Sequence, residues 1–263
     1  MIRPPSFAPL LAGTPEAFWP RWVSMPQNGA LHGFAADRLM GQNLAAAGAC
    51  FMAAQALIAA CLLWRAGRRQ QLGHLPATAA AMLLLCGMYA WMAVTAQRLW
   101  AANRFEGPSP AAMQVEVVGK QFQWYFRYPG SDAVFGAVQP ELVNAAAGNP
   151  LGLDPMDPHA SDDVVASELV LPAGREVDVQ LRALDVIHGF FVPGMRLKQD
   201  AVPGLLLHVH FTPVTSGEYP ILCSQVCGLG HGRMQAKLRV VPQAEFDRWI
   251  ASKEQARIAM AGQ

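Results

Sequence analysis

Two thiols, an imidazole and a thioether fall within twelve residues in Cys223-Ser-Gln-Val-Cys227-Gly-Leu-Gly-His231-Gly-Arg-Met234. Thiolate and thioether are soft donors that favour copper, and imidazole suits copper as well. Gly228, Gly230 and Gly232 allow a tight loop that turns its side chains inward. A second imidazole, His188, stands in Asp185-Val-Ile-His-Gly-Phe-Phe-Val-Pro193, before a Pro/Gly-rich bend. Other chemistries compete for these residues. A Cys2His2 zinc site rarely recruits Met, and the spacing fits no finger pattern well. A disulfide between Cys223 and Cys227 is possible, but their neighbours argue for metal. A mononuclear blue-copper site takes His2Cys with a weak axial Met, and one Cys would then be surplus. Two thiolates four residues apart, with one His on each side, make a dinuclear copper centre the economical reading.

Such a loop needs a rigid frame, and the chain supplies candidates for one. Met113–Val118, Phe122–Tyr128, Glu168–Leu171, Glu176–Leu181, Leu205–Phe211 and Ala236–Val241 read as short strands with Pro and Gly between them. That pattern predicts an all-β sandwich over 105–263. Residues 129–167 read as a long insertion. It is acidic, with no Lys or Arg between Arg127 and Arg175. Gln243–Met260 reads as a terminal amphipathic helix (243–260) with Phe246, Trp249 and Ile250 on one face. His208 and His210 share a strand face and read as surface or interface residues. His32, His74 and His159 read as loop residues.

Upstream the composition changes. The whole chain is 52% hydrophobic and only 15% charged, against about 45–50% and about 25% in soluble proteins. Leu39–Trp64 contains no formal charge, and neither does Gln70–Gln97, whose apolar body is Leu75–Ala96. Neither has a polar face. A helix over the first would span about 39 Å, more than the ~30 Å hydrocarbon core. Residues 39–104 therefore predict two membrane helices joined by a short loop at 65–74. Arg65, Arg68 and Arg69 with no acid place that loop in the cytoplasm and both chain ends outside. Cys50, Cys61 and Cys86 lie in these apolar stretches and read as small hydrophobes. Residues 1–38 read as an irregular outward leader without a secretory signal. Residues 1–106 carry eight Lys/Arg and three Asp/Glu, and 107–263 carry twelve and sixteen. Neither region has the basic surface of a nucleic-acid binder.

The copper loop resembles that of cytochrome c oxidase subunit II, Cys-Ser-x-x-Cys-Gly-x-x-His-x-x-Met. Asp185-Val-Ile-His188, Lys198-Gln-Asp-Ala-Val-Pro-Gly204 and Gly119-Lys-Gln-Phe-Gln-Trp-Tyr-Phe-Arg-Tyr128 resemble further motifs of that family. The resemblance covers roughly 39–250. It implies a two-helix transmembrane hairpin followed by a Greek-key, cupredoxin-like sandwich. It also implies a copper A centre bridged by Cys223 and Cys227. His188 and His231 would each bind one copper, with Met234 and the Gln225 carbonyl as weak ligands. Phe122 aligns with the family's leading Trp, the residue linked to electron uptake from cytochrome c, and Trp124 with the second Trp. The implied role is the subunit that takes electrons from cytochrome c, or a similar haem donor, and passes them to haem in subunit I. There oxygen is reduced and protons are moved. The implied partners are subunit I and the other oxidase subunits, and the implied place is a bacterial inner membrane with the copper domain on the periplasmic side. The acidic insertion could steer a basic donor.

Two departures stand out. Gln225 replaces a glutamate that helps bind magnesium at the subunit I contact, which predicts a weakened magnesium site because a neutral amide is a poor ligand for a hard cation. The second helix lacks the family's Glu-x-x-Trp-Thr start, which puts its proton-route contribution in doubt. The copper subunit of a nitric oxide reductase would look much alike. A membrane-tethered copper-binding module would leave the aromatic strand without a use, and a quinol oxidase subunit would usually lack the copper ligands.

Overall fold

The computed structural model describes residues 25–65 and 74–261. Residues 1–24 of the expected leader and most of the basic loop lie outside these residues. Helix α1 runs Leu31–Arg65 and helix α2 His74–Arg104. Their long windows have mean hydropathies of 2.0 and 1.7 and are not covered by the rest of the chain. Leu57, Leu63, Leu83 and Leu84 are all largely exposed. A helix apolar all round with no protein over it is suited to lipid.

α1 starts eight residues before the uncharged stretch, so 31–38 are helical rather than irregular. Asp37, in its first turns, is paired with Arg196 of the β domain at 2.7 Å. The charges that seemed to exclude a helix belong to the turns that meet the sandwich. For the same reason His32 is helical, and His74 opens α2. The second imidazole pair is placed on a strand, with His208 bonded to Asp178 at 2.9 Å.

Ten strands follow: β1 Met113–Lys120, β2 Gln123–Tyr128, β3 Val164–Ala166, β4 Leu169–Pro172, β5 Val177–Ala183, β6 His188–Val192, β7 Leu197–Ala201, β8 Leu207–Phe211, β9 Gly217–Cys223 and β10 Gln235–Val241. They form two five-stranded sheets, β3-β2-β1-β5-β8 and β4-β10-β9-β6-β7. The pairs β1–β5 and β4–β10 are parallel, and the remaining pairs are antiparallel. This is the all-β sandwich the strand pattern predicts.

Alternation along β2 sends Trp124, Phe126 and Tyr128 into the core, where all three are essentially inaccessible. They meet Val170, Phe190, Ile221, Leu238 and Val240. Tyr128 ties the sheets together: its hydroxyl donates to Val170 O and accepts from Val170 N. Helix α3, Gln243–Ala261, lays Phe246 and Trp249 against Tyr128.

On the outer face, Arg127 is almost wholly buried between Glu116, at 3.2 Å, and Asp163. It also donates to Gly136 O. The insertion between β2 and β3 is thereby pinned to the sheet at both of its ends. It is mostly loop, with 3-10 turns at Pro140–Leu142 and Pro158–Ser161. His159 lies in the second turn and pairs with Asp132.

Candidate metal centre

Three connections converge at one end of the sandwich: the β1–β2 turn, the β5–β6 loop and the β9–β10 loop. The last carries most of the candidate ligands and is closed by its own backbone. Cys223 N donates to Met234 O at 3.1 Å, and His231 N donates to Gly228 O at 3.1 Å. Ser224 N donates to Gly189 O at 2.9 Å, which seats the loop on β6.

The ligand atoms draw together inside this frame. Cys223 Sγ and Cys227 Sγ are 3.8 Å apart, too far for the ~2.04 Å bond of a disulfide. Cys227 Sγ lies 3.8 Å from His231 Nδ1 and 3.8 Å from Met234 Sδ. The main-chain carbonyl of Gln225 is 3.1 Å from Cys223 Sγ. His188, Cys223 and Cys227 place their donor atoms within 4.8 Å of one another. Thus the six positions His188, Cys223, Gln225, Cys227, His231 and Met234 are brought to one locus.

His188 supplies a direct test of whether a metal fits. The residue is fully buried, and its Nδ1 has no hydrogen-bond partner. Its Nε2 is held by Asp185 Oδ1 at 2.8 Å. A buried nitrogen without a partner is costly, and a ligating imidazole whose other nitrogen donates to a carboxylate is the common arrangement at metal sites. Burial, and then the neighbouring Cys223 sulfur, push the Cys227 thiol up to about 11. A cation would supply the charge that favours both thiolates. With two sulfurs, two imidazoles and a thioether, the donor set is that of a soft metal.

The supporting residues show less in sequence than the ligands do. Gln121 donates from its backbone N to Asp185 Oδ2 at 2.7 Å and from its side chain to Cys227 O. Partial burial works against ionisation of Asp185. The hydrogen bonds from Gln121 N, His188 and Val186 N prevail and hold its carboxyl below the ordinary value. Asp185 could be suspected from standing three residues before His188, whereas nothing local marks Gln121. Gly119 permits the close packing: a Cβ there would come within 2.9 Å of His188 and 3.1 Å of Trp124.

The two aromatic candidates occupy different places. Trp124 is buried and meets the His188 ring edge-on, with centroids 5.8 Å apart. Phe122 is 39% exposed, and its ring covers Gly228 and Gly230 of the ligand loop. Gln225 sends its amide away from the sulfurs to Asp200 Oδ2 at 2.7 Å. His208 and His210 stand on β8, apart from this cluster.

Residues 113–241 match the family described as cytochrome c oxidase subunit II, periplasmic domain. The alternative cytochrome c oxidase subunit 2 of Bradyrhizobium diazoefficiens is 39% identical over 145 residues, covering 54% of this chain and 52% of that protein. The cytochrome c oxidase subunit 2 of Thermostichus vulcanus is 33% identical over 149 residues, 57% of this chain and 36% of that protein. The match therefore spans about half or less of these relatives. The crystal structure of the periplasmic domain of cytochrome oxidase subunit II of Bradyrhizobium japonicum aligns at 30% identity with a TM-score of 0.41. It covers 56% of this chain and 96% of that one.

Proposed function

Since this chain belongs, through residues 113–241, to the cytochrome c oxidase subunit II family, we propose that it is the electron-accepting subunit of a cytochrome c oxidase. Its outer domain would take electrons from cytochrome c or a similar haem donor and pass them to haem in subunit I. The observation that carries this reading is the convergence of His188, Cys223, Cys227, His231 and Met234 around one buried pair of sulfurs. We assign the metal roles to these five side chains and to the Gln225 carbonyl. Two coppers bound there would act as one redox unit shared through the thiolates.

The chain's own residues perform the remaining tasks. Asp185 and Gln121 orient His188 and present its Nδ1. His188, Cys227 and Met234 are at most 5% exposed, so water is largely kept from that side of the site. Little reorganisation then accompanies a change of charge. Phe122 is the aromatic group at the surface, packed on the ligand loop, and is the assigned place of electron uptake. Trp124 is too deep to touch a donor, and its part is to hold the His188 ring. The acidic insertion favours a basic donor, with an encounter rate that falls as salt rises. Gln225, bonded to Asp200, leaves a weakened magnesium site at the subunit I contact. The helices hold the chain in the bacterial inner membrane by two spans, with the copper domain on the periplasmic side.

Copper counting with EPR on the purified full chain tests the assignment. The expected result is two coppers per chain with one unpaired electron shared equally between them, which gives a seven-line hyperfine pattern. A single copper with four lines, bound zinc, or a metal-free cystine would overturn it.

A further inference from the structure

Where the outer ends of α1 and α2 meet the sandwich, a groove of about 270 Å³ opens. It plays no part in the copper site. We propose that it binds one membrane phospholipid, with the headgroup phosphate at Arg104 and an acyl chain along the helices. The proposal rests on the reading that both helices cross a membrane.

The first support is an uncompensated charge. The Arg104 guanidinium donates to Gln199 Oε1 at 2.7 Å and to Lys198 O at 2.8 Å, both neutral acceptors. Among the described residues no carboxylate pairs with it. The nearby Arg196, by contrast, is clamped by Asp37 at 2.7 and 3.0 Å. Arg104 also lies over the Trp100 ring, 5.5 Å from its centroid. A tryptophan and an unpaired arginine at the end of an apolar helix are the groups that meet the headgroup layer.

The second support is the order of the lining. The polar lining residues His32, Asn103, Arg104 and His210 stand at the end next to the sandwich, beside Leu197 and Val209 of its strands, while Leu39 and Ala96 line the other end. α1 runs inward from Leu31 and α2 outward to Arg104. Leu39 and Ala96 therefore lie about two turns, roughly 11 Å, deeper than the polar group. Polarity falls along the groove in the sense that it falls along a phospholipid. A free phosphate would have no use for the apolar end, and a metal cation would be repelled by Arg104.

The test uses the full chain, extracted from membranes in mild detergent, exchanged exhaustively, and analysed for bound lipid by mass spectrometry. The wild-type chain is expected to keep about one phospholipid and Arg104→Gln about tenfold less, the loss expected for a charge-assisted hydrogen bond. Ala96→Phe, which fills the apolar end and leaves the arginine, should lose the lipid equally. An unchanged copper EPR signal in both variants shows that the sandwich is intact. A wild-type chain without lipid, or two variants that retain it, would overturn the proposal. So would Ala96→Phe keeping the lipid while Arg104→Gln loses it, or displacement of the lipid by inorganic phosphate alone, since either leaves only an anion site. Loss of a co-purifying subunit from Arg104→Gln with unchanged lipid would make the groove a protein interface and end the proposal. A chain recovered from the soluble fraction overturns the membrane reading itself, whereas a membrane-bound chain without lipid overturns only this inference.

Discussion

Gln225 contributes two separate groups to the molecule. Its main-chain carbonyl faces the sulfurs, while its amide serves Asp200. Gln225→Ala should therefore leave copper stoichiometry unchanged by metal analysis, and loss of copper would contradict a backbone role. Gln225→Glu places a second carboxylate beside Asp200, and two hard oxygen donors attract a hard cation. Manganese EPR should then show tighter binding by Gln225→Glu than by the wild-type chain. The aromatic pair divides in the same way. Phe122→Ala removes an exposed ring and should slow electron uptake in stopped-flow mixing with reduced cytochrome c, at unchanged denaturation midpoint. Trp124→Ala empties a fully buried site and should cost about 3–5 kcal/mol in a denaturant titration, with a perturbed copper spectrum because His188 loses its neighbour. The clustering of His188, Cys223, Cys227, His231 and Met234 was legible in the sequence because soft donors at loop spacing have few other uses. The difference between Phe122 and Trp124 was not, because it depends on which face of the turn carries each ring.

At the scale of elements, the strands readable in sequence are those with alternating or continuous β-branched and aromatic residues, such as Met113–Lys120 and Val177–Ala183. β7, Leu-Lys-Gln-Asp-Ala, buries only its two terminal residues and has no apolar signal in between. β9 contains Pro220, which argues against a central strand. The objection fails locally: β6 pairs only with Leu222 and Cys223, so no β6 partner requires an N–H at Pro220. β6 opens with His188 and a glycine, which read as loop. The insertion read as a long acidic loop, yet it closes over a buried arginine. Burial pushes the Asp163 carboxyl up, and Arg127 pulls against that shift. Arg127→Ala leaves Asp163 buried without its ion partner, while Glu116 keeps Arg182, and should cost about 3–5 kcal/mol in equilibrium unfolding, the usual loss when one partner of a buried pair is removed. His159 and Asp132 make a second, exposed tie. Their mutual hydrogen bond raises His159 above 6.5 and lowers Asp132 below 3.8. The raised histidine contributes fully below 6.5 and loses its part as pH climbs through its folded value. The depressed carboxylate contributes above 3.8 and loses its part as pH falls through its folded value. Between these limits both contribute, so His159→Gln should speed proteolytic nicking of the insertion at pH 5 and change it little at pH 8.

At the scale of the whole molecule, the outer ends of both helices are fastened to the same body. Leu31 N donates to Thr212 O at 2.9 Å, and Arg104 donates to Lys198 O. The sandwich and both of these ends must therefore lie on one side of any bilayer the helices cross. A chain crossing twice has its connecting segment on the other side, and that segment carries Arg65, Arg68 and Arg69 with no acid. Excess Lys and Arg in a short loop marks the cytoplasmic side. The two arguments are independent, one from contacts and one from charge, and both support the proposed topology. A thiol introduced at Met156, which is 87% exposed on the insertion, should react with a membrane-impermeant maleimide in cells whose outer membrane has been opened. A thiol introduced at Arg68 should react only after the inner membrane is lysed. Cys50, Cys61 and Cys86 lie within the long apolar helices and Cys223 and Cys227 at the β9–β10 loop, so labelling is read against the unsubstituted chain. Arg68→Cys labelled before lysis would reverse the orientation. The copper loop would then face the cytoplasm, away from a periplasmic haem donor, and the proposed direction of electron flow would fail with it.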